Sequence, residues 1–237
     1  LTCILLFTIL SLQRARTNPR SQAPSDEFYR KAKQIGLRAR SAFKLVEIDN
    51  EFKIFRNVSK VVDLCAAPGS WSQVIRSRLK STKDARIVAV DIQRMQPMTG
   101  VTQITADITL PETIQRIQNE MGGRCELVVC DGAPDLTGLY DLDSFLAHTL
   151  AIAALRAASA LLLPGGTFVL KVFVTPHPSS SCAAPPASCP AESSFYGSSG
   201  LLHAQLRALF ARVSLVKPES SRATSREHFA VCRGYIP

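Results

Sequence analysis

The stretch VVDLCAAPGSW, residues 61–71, combines an apolar strand with a tight turn. Its apolar first half predicts a buried strand, and Pro68 and Gly69 predict that the chain turns directly afterwards. The residues that follow, SQVIRSRL at 72–79, have the pattern of a helix. A strand that passes through a short turn into a helix is typical of α/β proteins with a parallel sheet.

Strand-like and helix-like segments alternate along most of the chain. Strands are expected at 59–64, 86–92, 102–105, 126–130, 167–173, 213–218 and 228–235. Helices are expected at 72–79, 110–121, 141–163 and 201–213, after a pair within 28–52 that flanks Gly36 and whose second member starts near Ser41. The fold class is therefore α/β, with a mostly parallel seven-stranded sheet and helices on both faces.

We expect one domain, residues 27–237, with two segments outside its core. Residues 1–26 begin with the apolar run LTCILLFTIL, which is too short for a membrane span of about 20 residues. We interpret them as a leader that is either disordered or not authentic. Residues 174–200 are rich in Ser, Pro and Ala and are expected to form a flexible insertion.

The excess of basic residues indicates the class of partner. The chain has 28 Lys and Arg against 19 Asp and Glu, a formal net charge of +9. This favours nucleic acid, with an indifferent basic surface as the alternative. The cysteines form no CxxC pair and the histidines no cluster at ligand spacing, so we expect no metal site. An odd cysteine count indicates a reducing compartment, and we expect a cytoplasmic protein without a membrane partner.

The turn after the first strand lies where parallel sheets bind their ligands. A dinucleotide site would carry GxGxxG, whereas this turn has Gly69 alone, so a nucleoside cofactor such as S-adenosylmethionine fits better. Four successive strands carry an acid at their ends: Asp63, Asp91, Asp107 and Asp131. We expect Asp91 to bind ribose hydroxyls, Asp107 the adenine amino group and Asp131 the reacting end. One such acid is more often a turn former, but four favour a cofactor site.

Six basic residues occur without an intervening acid near the start of the domain. They are Arg30, Lys31, Lys33, Arg38, Arg40 and Lys44, with Phe28, Tyr29 and Phe43 among them. A solvated helix face is the plain interpretation. The alternative is an edge that contacts phosphates and stacks bases, and the local charge asymmetry favours it.

Lys171 lies in the apolar strand FVLKVF, where an unpaired ammonium is costly to bury. A lysine at a strand end can extend its ammonium to solvent. This one, however, ends the strand at the edge that carries the cofactor acids. A desolvated lysine beside another cation can act there as a general base.

Six motifs together resemble the FtsJ/RrmJ-like ribose 2′-O-methyltransferases. They are RARSAFKL, DLCAAPGSWSQV, VAVDIQ, CDGAPDLTGLYDLD, LLPGGTFVLKVF and EHFAVCRGY. The resemblance covers about 28–173 and 201–235 and implies a Rossmann-like, S-adenosylmethionine-dependent methyltransferase fold. The fourth motif is more similar to the eukaryotic branch that modifies the tRNA anticodon loop than to the bacterial ribosomal RNA branch.

The resemblance implies roles for particular residues. A Lys-Asp-Lys-Glu tetrad would comprise Lys44, Asp131, Lys171 and Glu227. The cofactor site would comprise Gly69, Trp71, Asp91, Asp107 and Asp131, although Trp71 could equally be a core residue. We expect Lys171 to be the general base and Lys44 to help keep it unprotonated, while Asp131 and Glu227 orient the lysines and the ribose hydroxyl.

The function implied by the resemblance is 2′-O-methylation of tRNA at anticodon-loop nucleotides 32 and 34. Auxiliary protein subunits would present the tRNA. Ribosomal RNA or an mRNA cap is an alternative substrate, and a protein that binds cofactor and RNA without turnover is an alternative class. The chain departs from the family pattern after Phe173, where Val174 and the insertion replace an Arg-Gly-type stretch.

Overall fold

A computed structural model describes residues 27–134, 137–174, 198–222 and 225–237. The helices in these residues are α1 (Glu27–Gln34), α2 (Ala42–Phe52), α3 (Ser70–Arg78), α4 (Pro111–Met121), α5 (Tyr140–Leu161) and α6 (Ser198–Leu209). The strands are β1 (Lys60–Leu64), β2 (Arg86–Asp91), β3 (Thr102–Thr105), β4 (Cys125–Cys130), β5 (Leu162–Phe173), β6 (Phe210–Val216) and β7 (Glu227–Tyr235).

The seven strands form one sheet in the order β3-β2-β1-β4-β5-β7-β6. Strands β1 to β5 are parallel, and β7 runs antiparallel to both of its neighbours. The order reverses between β1 and β4, so the crevice beyond the carboxyl ends of these strands is the expected ligand site. The α/β fold with a mostly parallel seven-stranded sheet, predicted from the sequence, is confirmed.

Helices cover both faces because the side chains of the central strands alternate between two apolar clusters. On β1, Val62 and Leu64 pack in the cluster that includes residues of α4, α5 and α6, whereas Val61 packs with residues of α2 and α3. Burial of one side chain of this size contributes about 1.5–3 kcal/mol. A slip by one residue would reverse the two faces, so the alternation fixes the register of the strand.

The start of β5 differs from the sequence-based expectation. The strand begins at Leu162 rather than at 167 and includes the PGG sequence that was expected to precede it. Leu162 pairs with Cys125, and the register shifts before Leu127 pairs with Thr167. Gly165 has a φ of +80°, a left-handed conformation that glycine adopts readily. The PGG sequence therefore forms an irregularity within the strand.

The boundary between α6 and β6 also differs from the expectation. The helix spans 198–209 rather than 201–213, and β6 spans 210–216 rather than 213–218. Phe210 continues the helical pattern of the sequence, but it is buried and pairs with Tyr235 across the β6–β7 ladder. Strand pairing therefore overrides the local periodicity.

Two segments predicted from the sequence lie largely outside the described residues. The leader at 1–26 lies outside the described residues. Of the insertion predicted at 174–200, Val174 follows β5 and residues 198–200 begin α6, while 175–197 lie outside the described residues.

Helix α5 is unusually long and apolar. Its segment Asp141–Leu161 is, among the described residues, the one helix with the length and composition of a membrane span. Ala154, Ala158 and Leu161 on this helix are buried in the core, and α5 contacts β4 and β5. Packing on the sheet accounts for this apolar face.

Candidate active site

The turn after β1 requires glycine at position 69. The φ of Gly69 is +99°, and an added Cβ would lie 2.7 Å from Nη1 of Arg38. The Gly69 N–H donates to the Ala66 carbonyl at 2.6 Å, and the Ala66 N–H donates to the Val90 carbonyl at 3.1 Å. These bonds close the turn and tie it to β2 just before α3 begins.

Asp91 and Asp107, both predicted cofactor ligands, hold backbone turns. The Asp91 carboxylate accepts from the N–H groups of Ala67 (2.8 Å) and Gln93 (2.7 Å). Asp107 accepts from the N–H of Thr109 at 2.8 Å. A carboxylate has about four acceptor sites, so these bonds leave capacity for a ligand. Their roles in cofactor binding stay predictions.

A small cleft lies between the carboxyl ends of β1 and β4. It is lined by Ser41, Asp63, Cys65, Ala66, Ala67, Ser70, Trp71 and Asp131. Of the five predicted cofactor residues, Trp71 and Asp131 are therefore among its walls. Trp71 is also a core residue: its ring packs 5.6 Å from that of Phe229, and its indole N–H donates to the Ser41 carbonyl at 2.9 Å.

Asp63 is a cleft residue that was predicted as one of the four strand-end acids but was given no specific contact with the cofactor. It is 1% exposed, and its Oδ2 accepts from the Ser72 hydroxyl at 2.6 Å. Its Oδ1 has no hydrogen-bond donor among the described residues. Burial raises the pKa of Asp63 to about 7, against the opposing effect of the Ser72 hydrogen bond, and the nearby Asp131 raises it further. The alternation of β1 could have revealed an acid on a buried strand.

The four residues of the predicted tetrad form one connected group. Lys44 Nζ lies 2.5 Å from Glu227 Oε1. Lys171 Nζ lies 3.1 Å from Asp131 Oδ1 and 3.9 Å from Glu227 Oε2, and it donates to the Asp131 carbonyl at 2.6 Å. Their side chains are 8–15% exposed. The order in space is thus Lys44, Glu227, Lys171, Asp131.

Four elements of the fold bring this group together. Asp131 follows β4, and Lys171 lies near the end of the neighbouring strand β5. Because β7 is antiparallel, its first residue, Glu227, pairs with Phe173 at the same edge of the sheet. Lys44 comes from α2 and lies over the ring of Phe229, 5.7 Å from its centroid.

The two carboxyl groups of the tetrad differ in their electrostatics. Burial raises the pKa of Asp131 and outweighs the opposing effects of Lys171 and Lys44. Burial would also raise the pKa of Glu227, but the hydrogen bond and the charge of Lys44 lower it below its usual value. Glu227 is therefore the firmer anion of the pair, and Asp131 accepts a proton more readily.

A loop before β7 supports Glu227, and the sequence analysis missed it. The Ser221 hydroxyl donates to Glu227 Oε1 at 3.1 Å. Arg40 donates to the Ser220 carbonyl at 2.7 Å, and the Ser220 N–H donates to Glu47 Oε1 at 3.2 Å. The contacts of Ser220 with Arg40 and Glu47 join residues far apart in sequence, so periodicity gives no signal for them.

The basic edge is less exposed than the sequence predicted. Arg38 donates to backbone carbonyls of two loops, and Arg40 and Lys44 have the contacts described above. Arg30 and Lys33 are exposed on α1, where Lys33 lies 5.2 Å from the ring centroid of the exposed Tyr29. The part of this edge that can meet a polyanion is therefore the outer face of α1.

Metal-binding side chains are not clustered in the described residues: no group of three or more His, Cys, Asp or Glu could hold an ion there.

Comparisons with known proteins complete this description. Residues 37–184 match the FtsJ family, described as FtsJ-like methyltransferase. The chain is 45% identical over 222 residues to the human tRNA (cytidine(32)/guanosine(34)-2′-O)-methyltransferase, a match that covers 92% of this chain and 60% of that protein. It is 42% identical over 226 residues to the Schizosaccharomyces pombe protein of the same name, which covers 92% and 72%. The chain thus spans about three fifths of the length of the human relative.

A solved structure shares the fold. It is that of a protein from Plasmodium falciparum described as a ribosomal RNA methyltransferase, and it aligns with a TM-score of 0.64 at 22% identity. The alignment covers 84% of this chain and 98% of that one.

Proposed function

Since this chain belongs to the FtsJ-like methyltransferase family, we propose that it methylates ribose 2′-hydroxyl groups of tRNA, at nucleotides 32 and 34 of the anticodon loop. The observation that carries the proposal is the connected group of Lys44, Glu227, Lys171 and Asp131 beside the cleft. The substrate rests on the names of the human and fission yeast relatives.

The methyl donor is S-adenosylmethionine, and the cleft fits it in charge. Asp63 and Asp131 line the cleft. Asp63 Oδ1 is buried without a hydrogen-bond donor among the described residues, whereas Asp131 Oδ1 is paired with Lys171. An ammonium group supplies such donors and a positive charge, and the methionine part of the cofactor carries one. We assign Asp63 and Asp131 to this end, and Asp91 and Asp107 to the ribose and the adenine.

When bound, the cofactor supplies an activated methyl group on a positively charged sulfur. The protein must then orient the ribose hydroxyl in line with the methyl carbon and remove its proton as the new bond forms. We assign proton removal to Lys171 Nζ, which requires that this nitrogen be uncharged when the hydroxyl arrives.

The carboxylates of the tetrad stabilise the charge that proton removal creates. The cofactor would supply the methyl carbon to the ribose oxygen as its sulfur–carbon bond breaks, and the hydroxyl proton would pass to Lys171 Nζ. Asp131 and Glu227 lie 3.1 and 3.9 Å from that nitrogen and stabilise the ammonium that results. Lys44 holds Glu227 in place through its own ion pair.

The tRNA would meet the protein at the outer face of α1. Arg30 and Lys33 supply charge and Tyr29, which is 51% exposed, supplies a ring for stacking. Anticodon-loop bases are unpaired and can be splayed onto such a surface. We propose that auxiliary protein subunits present the tRNA, and that the protein acts in the cytoplasm.

The test is methyl transfer from isotopically labelled S-adenosylmethionine to total tRNA and, separately, to ribosomal RNA, with and without cell extract as a source of auxiliary subunits. We expect label in alkali-resistant dinucleotides at nucleotides 32 and 34, lost in Lys171→Ala. Lys80→Ala, a change of the same type at an exposed lysine just after α3 that belongs neither to the tetrad nor to the cleft lining, is the matched control and should retain activity.

Two results would contradict the proposal. Label in ribosomal RNA but not in tRNA would assign the other substrate class. Cofactor binding without label in either RNA, even with extract, would indicate a protein that binds both ligands without turnover. A near-normal rate in Lys171→Ala would refute the assignment of the base alone.

A further inference from the structure

Arg38 joins the turn after β1, which lines the cleft, to the loop after β2. Its Nη1 donates to the Pro68 carbonyl at 3.0 Å, in the turn after β1. Its Nη2 donates to the carbonyls of Gln96 (2.9 Å) and Pro97 (3.2 Å), in the loop after β2. One guanidinium group therefore bridges the two loops through three backbone carbonyls.

Arg38 is itself held from the other side. Its backbone N–H donates to Gln73 Oε1 at 2.8 Å, and Gln73 Nε2 donates to the Gly36 carbonyl at 3.0 Å. Gln73 lies on α3, the helix that starts directly after the turn. These two hydrogen bonds fix the segment before α2 against α3. The side chain of Arg38 extends from this fixed segment across the turn.

The contact between Arg38 and the turn is close. A Cβ built on Gly69 would lie 2.7 Å from Arg38 Nη1 and 3.5 Å from Cε of Met98. The guanidinium and the loop after β2 therefore both pack directly on the glycine of the turn. Any larger residue at position 69 would displace the arginine.

We propose that Arg38 is a positioning residue for cofactor binding, which holds the turn after β1 at a fixed distance from the loop after β2. The proposal rests on the proposed function, because it takes the cleft to be the S-adenosylmethionine site. Asp91, at the end of β2, also joins these two segments, because its carboxylate accepts from the N–H of Ala67 in the turn. Arg38 closes the outer end.

The chemistry of the side chain explains why arginine stands here. A guanidinium has five N–H donors in a rigid plane and no acceptor, so it can satisfy several carbonyls at once. A lysine ammonium is a single point and cannot bridge two loops in the same geometry. The donors that Arg38 spends on the protein backbone are not available to an RNA phosphate.

The test measures the affinity of the purified full chain for S-adenosylhomocysteine by calorimetry, without RNA. We expect Arg38→Ala to weaken binding by about tenfold or more, the effect of losing one charge-assisted hydrogen bond, and Arg38→Lys to weaken it by less. Arg76→Ala is the matched control: Arg76 donates to the Thr99 carbonyl of the same loop, at 3.3 Å, but does not bridge to the turn. Its affinity should stay at the wild-type value.

A second measurement separates positioning from RNA contact and from general stability. Arg38→Ala should raise the KM for S-adenosylmethionine and leave kcat at saturation close to wild type. Its affinity for tRNA without cofactor should be unchanged, whereas Arg30→Ala should weaken tRNA binding and leave the affinity for S-adenosylhomocysteine intact. Thermal unfolding shows whether each variant is folded, and if Arg38→Ala is not, Arg38→Lys decides.

The outcomes are distinguishable. Wild-type protein that fails to bind S-adenosylhomocysteine overturns the proposed function itself. Wild-type affinity in folded Arg38 variants overturns the positioning role and leaves the proposed function standing. Weaker tRNA binding with unchanged cofactor affinity would show instead that Arg38 contacts phosphate.

Discussion

At the scale of single residues, Ser220 and Ser221 show how much neighbouring side chains can differ in function. Both are buried. The Ser221 hydroxyl donates to Glu227 of the tetrad, whereas the Ser220 hydroxyl has no hydrogen-bond partner among the described residues. The backbone of Ser220, by contrast, is bound by Arg40 and Glu47. The pair is therefore a matched test of what a hydroxyl contributes to the tetrad.

We expect Ser221→Ala to lower kcat by about tenfold, because a hydrogen bond to a charged group contributes about 1.5–3 kcal/mol. Loss of that bond also removes one of the effects that lower the pKa of Glu227. The acidic limb of the pH–rate profile should therefore move to higher pH. Ser220→Ala keeps every backbone contact and should leave both unchanged. Equal effects of the two substitutions would show that the loop acts only through packing.

Asp63 makes a prediction about pH and stability. Its pKa is about 7 in the folded protein and 3.8 in its ordinary state, so between these values the folded chain binds the extra proton. The contribution of Asp63 to the free energy of unfolding is therefore fully present below about pH 4 and is lost as the pH rises through 7. The loss is on the order of 4 kcal/mol at pH 8.

The substitution Asp63→Asn imitates the protonated acid at every pH. We expect the variant without cofactor to be more stable than wild type at pH 8, with a difference that disappears toward pH 4. Urea unfolding at a series of pH values measures this. A difference that does not change with pH would mean that Asp63 keeps an ordinary pKa. The sequence could predict that strand-end acids meet, but the burial of Asp63 depends on neighbours that only the fold supplies.

At the scale of elements, the sequence predicted every strand and helix in the described residues. Such predictions succeed because hydrophobic periodicity and turn residues are local signals. The errors lie at boundaries where a distant strand decides. Phe210 belongs to β6 because Tyr235 pairs with it, and Leu162 to β5 because Cys125 does. Neither partner can be identified from the segment itself.

The ends of β1 and β4 also meet closely enough to be tested. A Cβ added to Gly132 would lie 2.8 Å from Cβ and 2.9 Å from Sγ of Cys65. Gly132→Ala should therefore lower the free energy of unfolding by about 1–3 kcal/mol. Cys65→Gly removes both atoms, at a position whose φ of +55° suits glycine.

We expect Gly132→Ala to cost much less stability when Cys65 is already glycine. The double variant Cys65→Gly/Gly132→Ala should therefore be nearly as stable as Cys65→Gly alone. The coupling energy from a double-mutant cycle in urea measures it. Strictly additive effects would place the strain of Gly132→Ala elsewhere, for example at Leu150, whose Cδ2 lies 3.2 Å from the added atom.

At the scale of the whole molecule, the net charge of +9 predicted a polyanionic partner but not which residues would meet it. Of six basic residues on one edge, the structure turns Arg38, Arg40 and Lys44 toward the protein. Their direction depends on carbonyls and carboxylates from loops that follow much later in the chain. A charge run in a sequence therefore overestimates the surface available for RNA.

Salt dependence should reveal this distribution of charge. A residue that contacts a phosphate contributes about 0.7–0.9 to the slope of log Kobs against log salt concentration. We expect Lys33→Ala and Arg30→Ala each to reduce the slope for tRNA by about this amount, and Arg38→Ala to leave it unchanged. Filter binding at several salt concentrations is the measurement. A reduced slope in Arg38→Ala would show instead that Arg38 contacts a phosphate of the tRNA.

The late position of Glu227 in the chain has a consequence for biosynthesis. Glu227 opens the last strand of the described sheet in chain order, so a ribosome must translate nearly the whole domain before this residue emerges. The cofactor turn, Lys44 and Lys171 all leave the exit tunnel earlier. On the proposed chemistry, a nascent polypeptide that has not yet reached this residue lacks one of the four members of the tetrad. The tetrad therefore cannot be complete on a nascent chain until the start of β7 has left the ribosome.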